Sequence, residues 1–214
     1  MEVKKYAHAT VGIRTNGKHI LIDPGKYNYG EDKLRDFNDF DPIDLLLITH
    51  SHADHYMPEV VEGLYKRDHP KIYTNEEIAK ELLERKIECE GLNPGEYRVF
   101  DGIRVTAVRA DHKVHTVGFV IDDNNSKTYH CGDTLYFEGE KPYGDLVLVP
   151  INNRGVAMGP EEAAKFIREI NPKLAVPIHY ESPKDEVKPE QFIEAMKDSG
   201  IKTKIMSFND KLDI

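Results

Sequence analysis

Cysteine is scarce in this chain, and the two cysteines form no motif. Cys89 and Cys131 are the only ones among 214 residues, and they lie far apart with no C-x-x-C spacing. A disulfide framework is therefore not expected, and a reducing compartment is the simplest setting. We interpret Cys131 as a buried strand residue.

Long apolar stretches are absent as well. No apolar run approaches the ~20 residues that a membrane-spanning helix requires. The start, Met1-Glu-Val-Lys-Lys5, lacks the apolar segment of a secretory signal. We therefore expect a cytoplasmic protein with no membrane partner.

The chain also lacks basic blocks, linkers and repeats. Its formal net charge is -9 and is spread along the sequence, which argues against nucleic acid as the main partner. No Pro/Ser-rich linker, internal repeat or low-complexity segment is visible. With 39% hydrophobic and 31% charged residues, we expect one globular domain spanning residues 1–214.

Metal-type ligands, by contrast, are concentrated in one short segment. His50-Ser-His52-Ala-Asp54-His55 directly follows an apolar run and contains four such ligands in six residues. Alternate side chains of an extended or turning backbone share one side, so His50 and His52 can chelate one ion, while Asp54 and His55 can reach a second. Imidazole and carboxylate together indicate a borderline divalent metal without naming it.

Periodicity and turn signals predict a β-rich α/β fold with two sheets covered by helices. Asn16-Gly17 predicts a hairpin of residues 6–15 and 18–22. Thr74-Asn-Glu-Glu77 resembles a capping box, followed by an apolar stripe of Ile78, Leu82 and Leu83. Further strands are predicted at 45–49, 71–74, 97–100, 103–109, 117–121, 128–131, 146–151, 174–178 and 202–207, and further helices at 58–67, 160–170 and 189–199.

Three more candidate ligands stand where predicted strands end. They are His112, Asp133 in Gly132-Asp-Thr134, and His179 in Pro177-Ile-His-Tyr180. Each alone is a weak signal, because a histidine after a strand is usually a hydrogen-bonded surface residue and Gly-Asp-Thr is an ordinary turn.

Taken with the first motif, in this order and spacing, these residues resemble the metallo-β-lactamase superfamily over about residues 6–206. The resemblance implies a four-layer αβ/βα sandwich, with two mixed sheets flanked by helices and a binuclear site at one edge. It implies Zn2+ first, with Mn2+ or Fe2+ as alternatives. The implied ligands are His50, His52 and His112 on one ion, Asp54, His55 and His179 on the other, and Asp133 between the two.

Neighbouring residues are assigned from the same resemblance. His115 competes with His112 for the third histidine position, and we favour His112. Asp23 matches an acidic residue that hydrogen-bonds a ligand histidine and so orients its ring; a turn cap is the alternative. His8 lies where some relatives carry a histidine near the site, and a structural role is equally open. His19, His69 and His130 match nothing.

A looser resemblance connects residues 150–180 with the ascorbate-6-phosphate lactonase-like branch. The binuclear site implied by the superfamily resemblance predicts a hydrolase that uses a bridging hydroxide, with Asp54 and Asp133 as catalytic carboxylates. The expected substrate is a small anionic molecule, a lactone or cyclic ester first, contacted by Asn152 and Arg154. A phosphodiesterase of the same fold is the alternative, and a non-catalytic metal-binding or partner-binding module is the second.

Overall fold

The chain contains fourteen strands, four α-helices and two short 3-10 helices, Lys26–Asn28 and Phe37–Asp39, and the computed structural model describes all residues from Met1 to Ile214. The helices are α1 (Pro58–Asp68), α2 (Glu76–Glu84), α3 (Pro160–Ile170) and α4 (Pro189–Ala195). The strands are β1 (Glu2–Lys5), β2 (Val11–Thr15), β3 (Lys18–Ile22), β4 (Leu45–Ile48), β5 (Lys71–Thr74), β6 (Glu90–Gly91), β7 (Tyr97–Phe100), β8 (Ile103–Arg109), β9 (Val117–Asp122), β10 (Lys127–His130), β11 (Leu146–Pro150), β12 (Leu174–Ile178), β13 (Lys202–Thr203) and β14 (Lys211–Asp213).

The strands form two seven-stranded mixed sheets. The first sheet has the order β14-β1-β2-β3-β4-β5-β6, and the second has the order β13-β12-β11-β10-β9-β8-β7. Each sheet has a parallel half and an antiparallel half. Strands β3, β4, β5 and β6 of the first sheet pair in parallel, as do β10, β11, β12 and β13 of the second, and the remaining pairings are antiparallel.

Apolar side chains on both faces of the central strands produce the layering. In β4, Leu45 and Leu47 join the core between the two sheets, whereas Leu46 and Ile48 join the cluster beneath α1 and α2. The outer face of the second sheet packs in the same way against α3 and α4. Strands buried on both faces are expected to be continuous apolar runs, and β4 and β11 are. The predicted four-layer sandwich is confirmed.

Local signals explain most element boundaries. Asn16 and Gly17 have φ of 49° and 72°, as a tight hairpin turn requires. Helix α2 is capped by Asn75, whose Oδ1 accepts from the Ile78 amide at 2.9 Å. Helices α1 and α3 each begin with proline at the first position and end at a left-handed residue.

Several predicted boundaries were wrong. Residues 6–10 form a loop between β1 and β2 rather than strand, because the backbone turns at His8, where φ is 61°. Leu83 is 55% exposed and does not belong to the buried stripe of α2. Helix α4 ends at Ala195, four residues before the predicted Ser199.

The end of the chain also differs from the prediction. Strand β13 stops at Thr203, and the last strand is β14, which returns to the first sheet and pairs with β1. Strands β1, β6 and β14 were not predicted, because short segments rich in charged residues carry little periodicity. None of the helices has the length and apolarity needed to cross a bilayer.

The direction of the strands places the candidate residues at one edge of the sandwich. Strands β1, β3 and β4 run in one direction within the first sheet, as do β8, β10 and β12 within the second. Their carboxyl ends lead into the loops that carry His8, Asp23, residues 50–55, His112, Asp133 and His179. Loops at the carboxyl ends of strands are where a rigid scaffold commonly presents functional side chains.

Candidate metal centre

The first group of donor atoms combines His50, His52, His112 and Asp133, whose ligand atoms lie within 4.8 Å of one another. His52 Nδ1 is 3.1 Å from His50 Nε2 and 3.3 Å from His112 Nε2. Nitrogen donors at about 2.0–2.1 Å from a tetrahedral zinc ion are about 3.3–3.4 Å apart. The spacing of the three imidazoles therefore fits a common ion.

The second group combines His8, Asp54, His55 and His179 within the same limit. Asp54 Oδ2 is 3.3 Å from His8 Nε2 and 3.7 Å from His179 Nε2. The carboxylate of Asp54 is the most exposed member, at 23% of its side chain, whereas the three histidines are buried. The group opens to solvent on the Asp54 side.

Asp133 lies between the two groups. Its Oδ1 is 3.2 Å from His55 Nε2, and its Oδ2 is 3.1 Å from His179 Nε2 in the second group. The same Oδ2 is 3.8 Å from His50 Nε2 and 4.0 Å from His112 Nε2 in the first group. One buried carboxylate therefore faces donors of both groups, as a bridging ligand would.

Asp23 orients a histidine in each group through hydrogen bonds. Its Oδ2 accepts from His55 Nδ1 at 2.8 Å and from the Thr49 hydroxyl at 2.8 Å, and its Oδ1 accepts from the Thr49 amide at 2.8 Å. Because Thr49 has one hydroxyl proton and gives it to Asp23, its oxygen accepts from His50 Nδ1 at 3.0 Å. With Nδ1 engaged in these hydrogen bonds, both rings direct Nε2 towards Asp133.

Backbone strain is concentrated at the same place. His8, Asp23 and His179 have φ of 61°, 51° and 69°, values that residues with a side chain rarely adopt. Such conformations are costly and cluster at functional sites. A second constraint is Gly25, where an added Cβ would lie 1.9 Å from the Asp54 carbonyl oxygen. The loop after β3 therefore packs directly against the backbone that carries Asp54 and His55.

The ionisation of the cluster is strongly perturbed. Burial lowers the pKa of His179 and His55, but the carboxylates outweigh it: Asp133 and Asp54 raise the pKa of His179 to about 9, and Asp133 and Asp23 raise that of His55 well above its usual range. Burial raises the pKa of Asp133, but the same two histidines hold it well below normal. In the metal-free protein, protons on these histidines thus balance the buried carboxylates, and bound cations can replace them.

Burial favours the neutral form of three other imidazoles of the cluster, His8, His50 and His112. Burial lowers the pKa of His50 well below its usual value, lowers that of His112, and, together with the nearby His179, brings that of His8 to about 3. Neutral imidazole is the form that binds a metal ion.

Many polar atoms of the cluster lack a well-aligned hydrogen-bond partner although they are buried. They are both ring nitrogens of His8 and of His179, Nε2 of His55, Nδ1 of His112 and Oδ1 of Asp133. Buried polar atoms are normally hydrogen-bonded, and exceptions call for an explanation. Three of them, Nε2 of His8, His55 and His179, lie 3.1–3.3 Å from a carboxylate oxygen of the cluster. This arrangement of donor atoms fits bound divalent metal ions.

The structure brings together all seven residues proposed as metal ligands. His112 lies in the first group, while His115 is exposed and belongs to neither. Asp23 hydrogen-bonds a histidine of the site, as expected. His8 was expected near the site, and it lies inside the second group rather than behind it.

Neither Asn152 nor Arg154 is hydrogen-bonded through its side chain to a residue of the donor groups. The Asn152 Oδ1 accepts from the Arg154 amide at 2.6 Å, and the Arg154 guanidinium donates to the Lys184 carbonyl at 2.8 Å. Their role in substrate binding stays a prediction. Cys131 is fully buried, as expected, and burial raises the pKa of its thiol.

Residues that sequence reasoning missed hold the loops in place. The side-chain Nδ2 of Asn75 donates to the carbonyls of Thr49 and His115 at 3.0 and 2.7 Å. His130, which matched nothing in the family pattern, is fully buried. Its Nε2 donates to the Ala9 carbonyl at 2.7 Å, and its Nδ1 accepts from the Gly132 amide at 3.2 Å. It thus connects the loop of His8 with the turn of Asp133. The only sequence signal was its position three residues before Asp133.

Lys5 and Glu181 were also missed. Lys5 is fully buried and pairs with the Glu181 carboxylate at 3.0 Å, and the same carboxylate accepts from the His8 amide. Nothing in the sequence distinguishes this lysine from its neighbour Lys4, because only the tertiary arrangement buries it.

Comparison with known proteins agrees with this geometry. Residues 2–179 match the model of the beta-lactamase superfamily domain. A UPF0173 metal-dependent hydrolase from Geobacillus thermodenitrificans is 34% identical over 219 residues, covering 92% of this chain and 93% of the relative. Among solved structures, the metallo hydrolase Igni18 from Ignicoccus hospitalis is similar, with a TM-score of 0.87 and 25% identity over 99% of this chain and 98% of that one.

A more distant structure shares the fold alone. The metallo-beta-lactamase fold protein YhfI from Bacillus subtilis aligns with a TM-score of 0.78 at 15% identity, covering 99% of this chain and 98% of that one. The resemblance first drawn from the histidine motif is confirmed: this chain belongs to the beta-lactamase superfamily and is a metal-dependent hydrolase of that family.

Proposed function

We propose that this protein hydrolyses a small molecule at a centre of two divalent metal ions. His50, His52 and His112 would hold the first ion, Asp54, His55 and His179 the second, and Asp133 both. The observation that carries the proposal is the pair of donor groups on either side of Asp133, because seven donors exceed what one tetrahedral ion uses. Zn2+ is the first candidate, with Mn2+ or Fe2+ as alternatives.

Bound at this centre, two divalent ions supply a Lewis acid and a water that is activated at neutral pH. The two carboxylates that we assign to the chemistry differ in surroundings. Asp133 is 2% exposed and faces imidazoles on both sides, so it is suited to orient the attacking water. Asp54 reaches solvent, which supports a place for it on the substrate side of the centre.

Neither Thr49 nor Cys131, the hydroxyl and the thiol next to the proposed ligands, is suited to act as a covalent nucleophile. The hydroxyl of Thr49 is engaged with Asp23 at 2.8 Å. The thiol of Cys131 is buried, and its raised pKa disfavours the thiolate, which is the reactive form. The Tyr180 hydroxyl, next to His179 in the sequence, is also engaged, since it donates to the Met206 carbonyl at 3.0 Å. Direct attack by water is therefore the simpler chemistry.

The substrate that we propose is a small anionic lactone or cyclic ester, with a phosphodiester second. Support for an anion contact comes from the loop after β11, a strand that lies between β10 and β12 in the second sheet. Its loop therefore leaves the sheet between the turns of Asp133 and His179. Arg154 in this loop is exposed and uses one amino group on the Lys184 carbonyl, so other guanidinium donors remain for a substrate.

The decisive experiment is turnover of a panel of lactones, phosphodiesters and thioesters by protein loaded with Zn2+ or Mn2+, together with elemental analysis. We expect two ions per chain and fastest hydrolysis of a lactone. His112→Ala should lose both metal and activity, whereas His115→Ala is the matched control and should keep both. A saturated stoichiometry of one ion contradicts the two-ion centre, and two ions without turnover of any substrate class would favour a non-catalytic metal-binding module.

A further inference from the structure

His8 is the one member of the second donor group that the family resemblance does not place among the metal ligands. Its ring is fully buried, with Nε2 3.3 Å from Asp54 Oδ2 and its centroid 3.9 Å from that of His179. Neither ring nitrogen has an aligned hydrogen-bond partner. A histidine buried only for packing normally has its N–H group bonded to an acceptor, so packing alone does not account for this position.

The main chain of His8 is tied on both sides to the segment that follows β12. Its amide donates to the Glu181 carboxylate, and its carbonyl accepts from the His179 amide at 3.1 Å. Glu181 is in turn held by the buried Lys5, whose Nζ lies 3.0 and 3.1 Å from the two carboxylate oxygens and donates to the Tyr6 carbonyl at 2.7 Å.

A buried ion pair is expensive, because desolvation offsets much of the attraction between its charges. Here the pair fixes the His8 peptide in the left-handed conformation, with φ of 61°. The ring is thereby directed at Asp54 and His179, while the Tyr27 ring packs edge-on against it at 4.7 Å. The arrangement fixes both the position and the direction of one imidazole beside the second donor group.

We propose that His8 is an additional ligand of the second ion and that the Lys5–Glu181 pair is its positioning device. The inference rests on the proposed two-ion centre. Counting Asp133 at both ions, the second then has five protein donors, His8, Asp54, His55, His179 and Asp133, whereas the first has four, His50, His52, His112 and Asp133.

This difference in donor number predicts different metal preferences. Four donors suit tetrahedral zinc. Three imidazoles with two carboxylates suit an ion that accepts five or six ligands, such as Mn2+ or Fe2+. The first site should therefore favour Zn2+, and the second should tolerate Mn2+ or Fe2+ better than the first does.

Titration of the metal-free full chain with Co2+ tests the proposal without measuring activity. Visible absorption of Co2+ is stronger in a tetrahedral site than in a five- or six-coordinate one, and elemental analysis gives the stoichiometry. In His8→Ala we expect one ion to keep wild-type affinity and the other to bind at least about 100-fold more weakly, beyond the 10- to 100-fold typical of changes outside the ligand set. The absorption per bound ion should also change.

Variants of the ion pair test the positioning role. Glu181→Ala should weaken the same ion by about tenfold, and Glu181→Gln, which can still accept from the His8 amide, should restore part of the loss. The first ion should be unaffected in both variants. His115→Ala is the matched control, since this histidine is exposed and lies outside both groups.

The outcomes are separable. If His8→Ala binds two Co2+ ions with wild-type affinity and spectrum, His8 is not a ligand and the inference fails while the two-ion centre stands. If the wild type itself saturates at one ion, the proposed function fails first. Should His8→Ala not fold, NMR of the Co2+-loaded wild type decides: six hyperfine-shifted imidazole N–H signals are expected with His8 as a ligand, and five without it.

Discussion

Replacing Asp23 should affect both donor groups at once, because this carboxylate acts on a histidine in each. It is fully buried and accepts three hydrogen bonds, from the Thr49 amide, the Thr49 hydroxyl and His55 Nδ1, all at 2.8 Å. Asp23→Ala leaves three buried donors without an acceptor. Each such donor costs about 1–3 kcal/mol, so we expect a loss of about 3 kcal/mol or more in the free energy of unfolding.

The expected loss is a large share of the roughly 5–15 kcal/mol that holds a typical domain together. It is measured by denaturant unfolding of metal-free protein. Metal affinity, measured by competition with a chelator, should fall about 10- to 100-fold at both ions, because the Nε2 lone pairs of His50 and His55 are no longer fixed. Asp23→Asn should lie between the wild type and Asp23→Ala, since an amide keeps one acceptor oxygen.

A variant of Thr49 separates the two groups. Thr49→Val removes the hydroxyl that connects Asp23 to His50 Nδ1 and leaves the bond from His55 to Asp23. It should weaken the first ion and spare the second. Glu194 is an exposed carboxylate on α4, so Glu194→Ala is the control for the loss of negative charge in Asp23→Ala. Wild-type unfolding and metal affinity in Asp23→Ala, or equal weakening of both ions in Thr49→Val, would refute the reasoning.

Three further predictions concern the backbone, protons and substrate. Gly25→Ala should abolish tight binding of the second ion, because its Cβ would lie 1.9 Å from the Asp54 carbonyl oxygen and must displace that backbone by about 1 Å or more, far beyond the roughly ±0.2 Å tolerance of a metal site. The control is Gly159→Ser, where a Cβ meets nothing nearer than 4.0 Å, and this variant should bind both ions normally. Equal metal stoichiometry in the two variants would contradict the steric argument. Because the pKa of His179 is raised to about 9 in the metal-free protein, a metal ion must displace its proton to bind. The apparent metal affinity should therefore rise about tenfold per pH unit between pH 6 and 8 for each proton displaced. A metal affinity that does not change with pH, measured by competition with a chelator, would contradict this prediction. Arg154→Met should raise KM more than it lowers kcat, with a loss in kcat/KM of about 10- to 100-fold for an anionic substrate, whereas unchanged kinetics would mean that this arginine is only solvated.

Sequence reasoning succeeded where a local pattern dictates structure. Asn16-Gly17 determines a hairpin through its positive φ values, and the continuous apolar run of β11 requires burial on both faces. The ligand motif was visible because several unusual residues are adjacent. These features depend on neighbours within a few positions, which a single sequence displays directly.

It failed where distant segments determine the outcome. The place of His8 depends on Glu181, 173 residues away, and that of Lys5 on the same carboxylate. Strand β14 forms because its backbone completes the edge of β1, and its sequence has no strand signal of its own. Asn152 and Arg154 were assigned from a looser similarity, and no side-chain hydrogen bond connects them to the donor groups.

The two sheets contribute unequally but jointly to the centre. His50 and His52 leave the first sheet while His112 and Asp133 leave the second, and His179 from the second sheet joins residues of the first. Bound ions would therefore cross-link the two halves of the sandwich, at the edge where polar donor side chains take the place of the apolar side chains of the core. Each ion present at 1,000 times its dissociation constant would add about 4.1 kcal/mol to the free energy of unfolding. Chelation should accordingly speed amide hydrogen exchange at the carboxyl ends of β4 and β12 and leave their opposite ends protected.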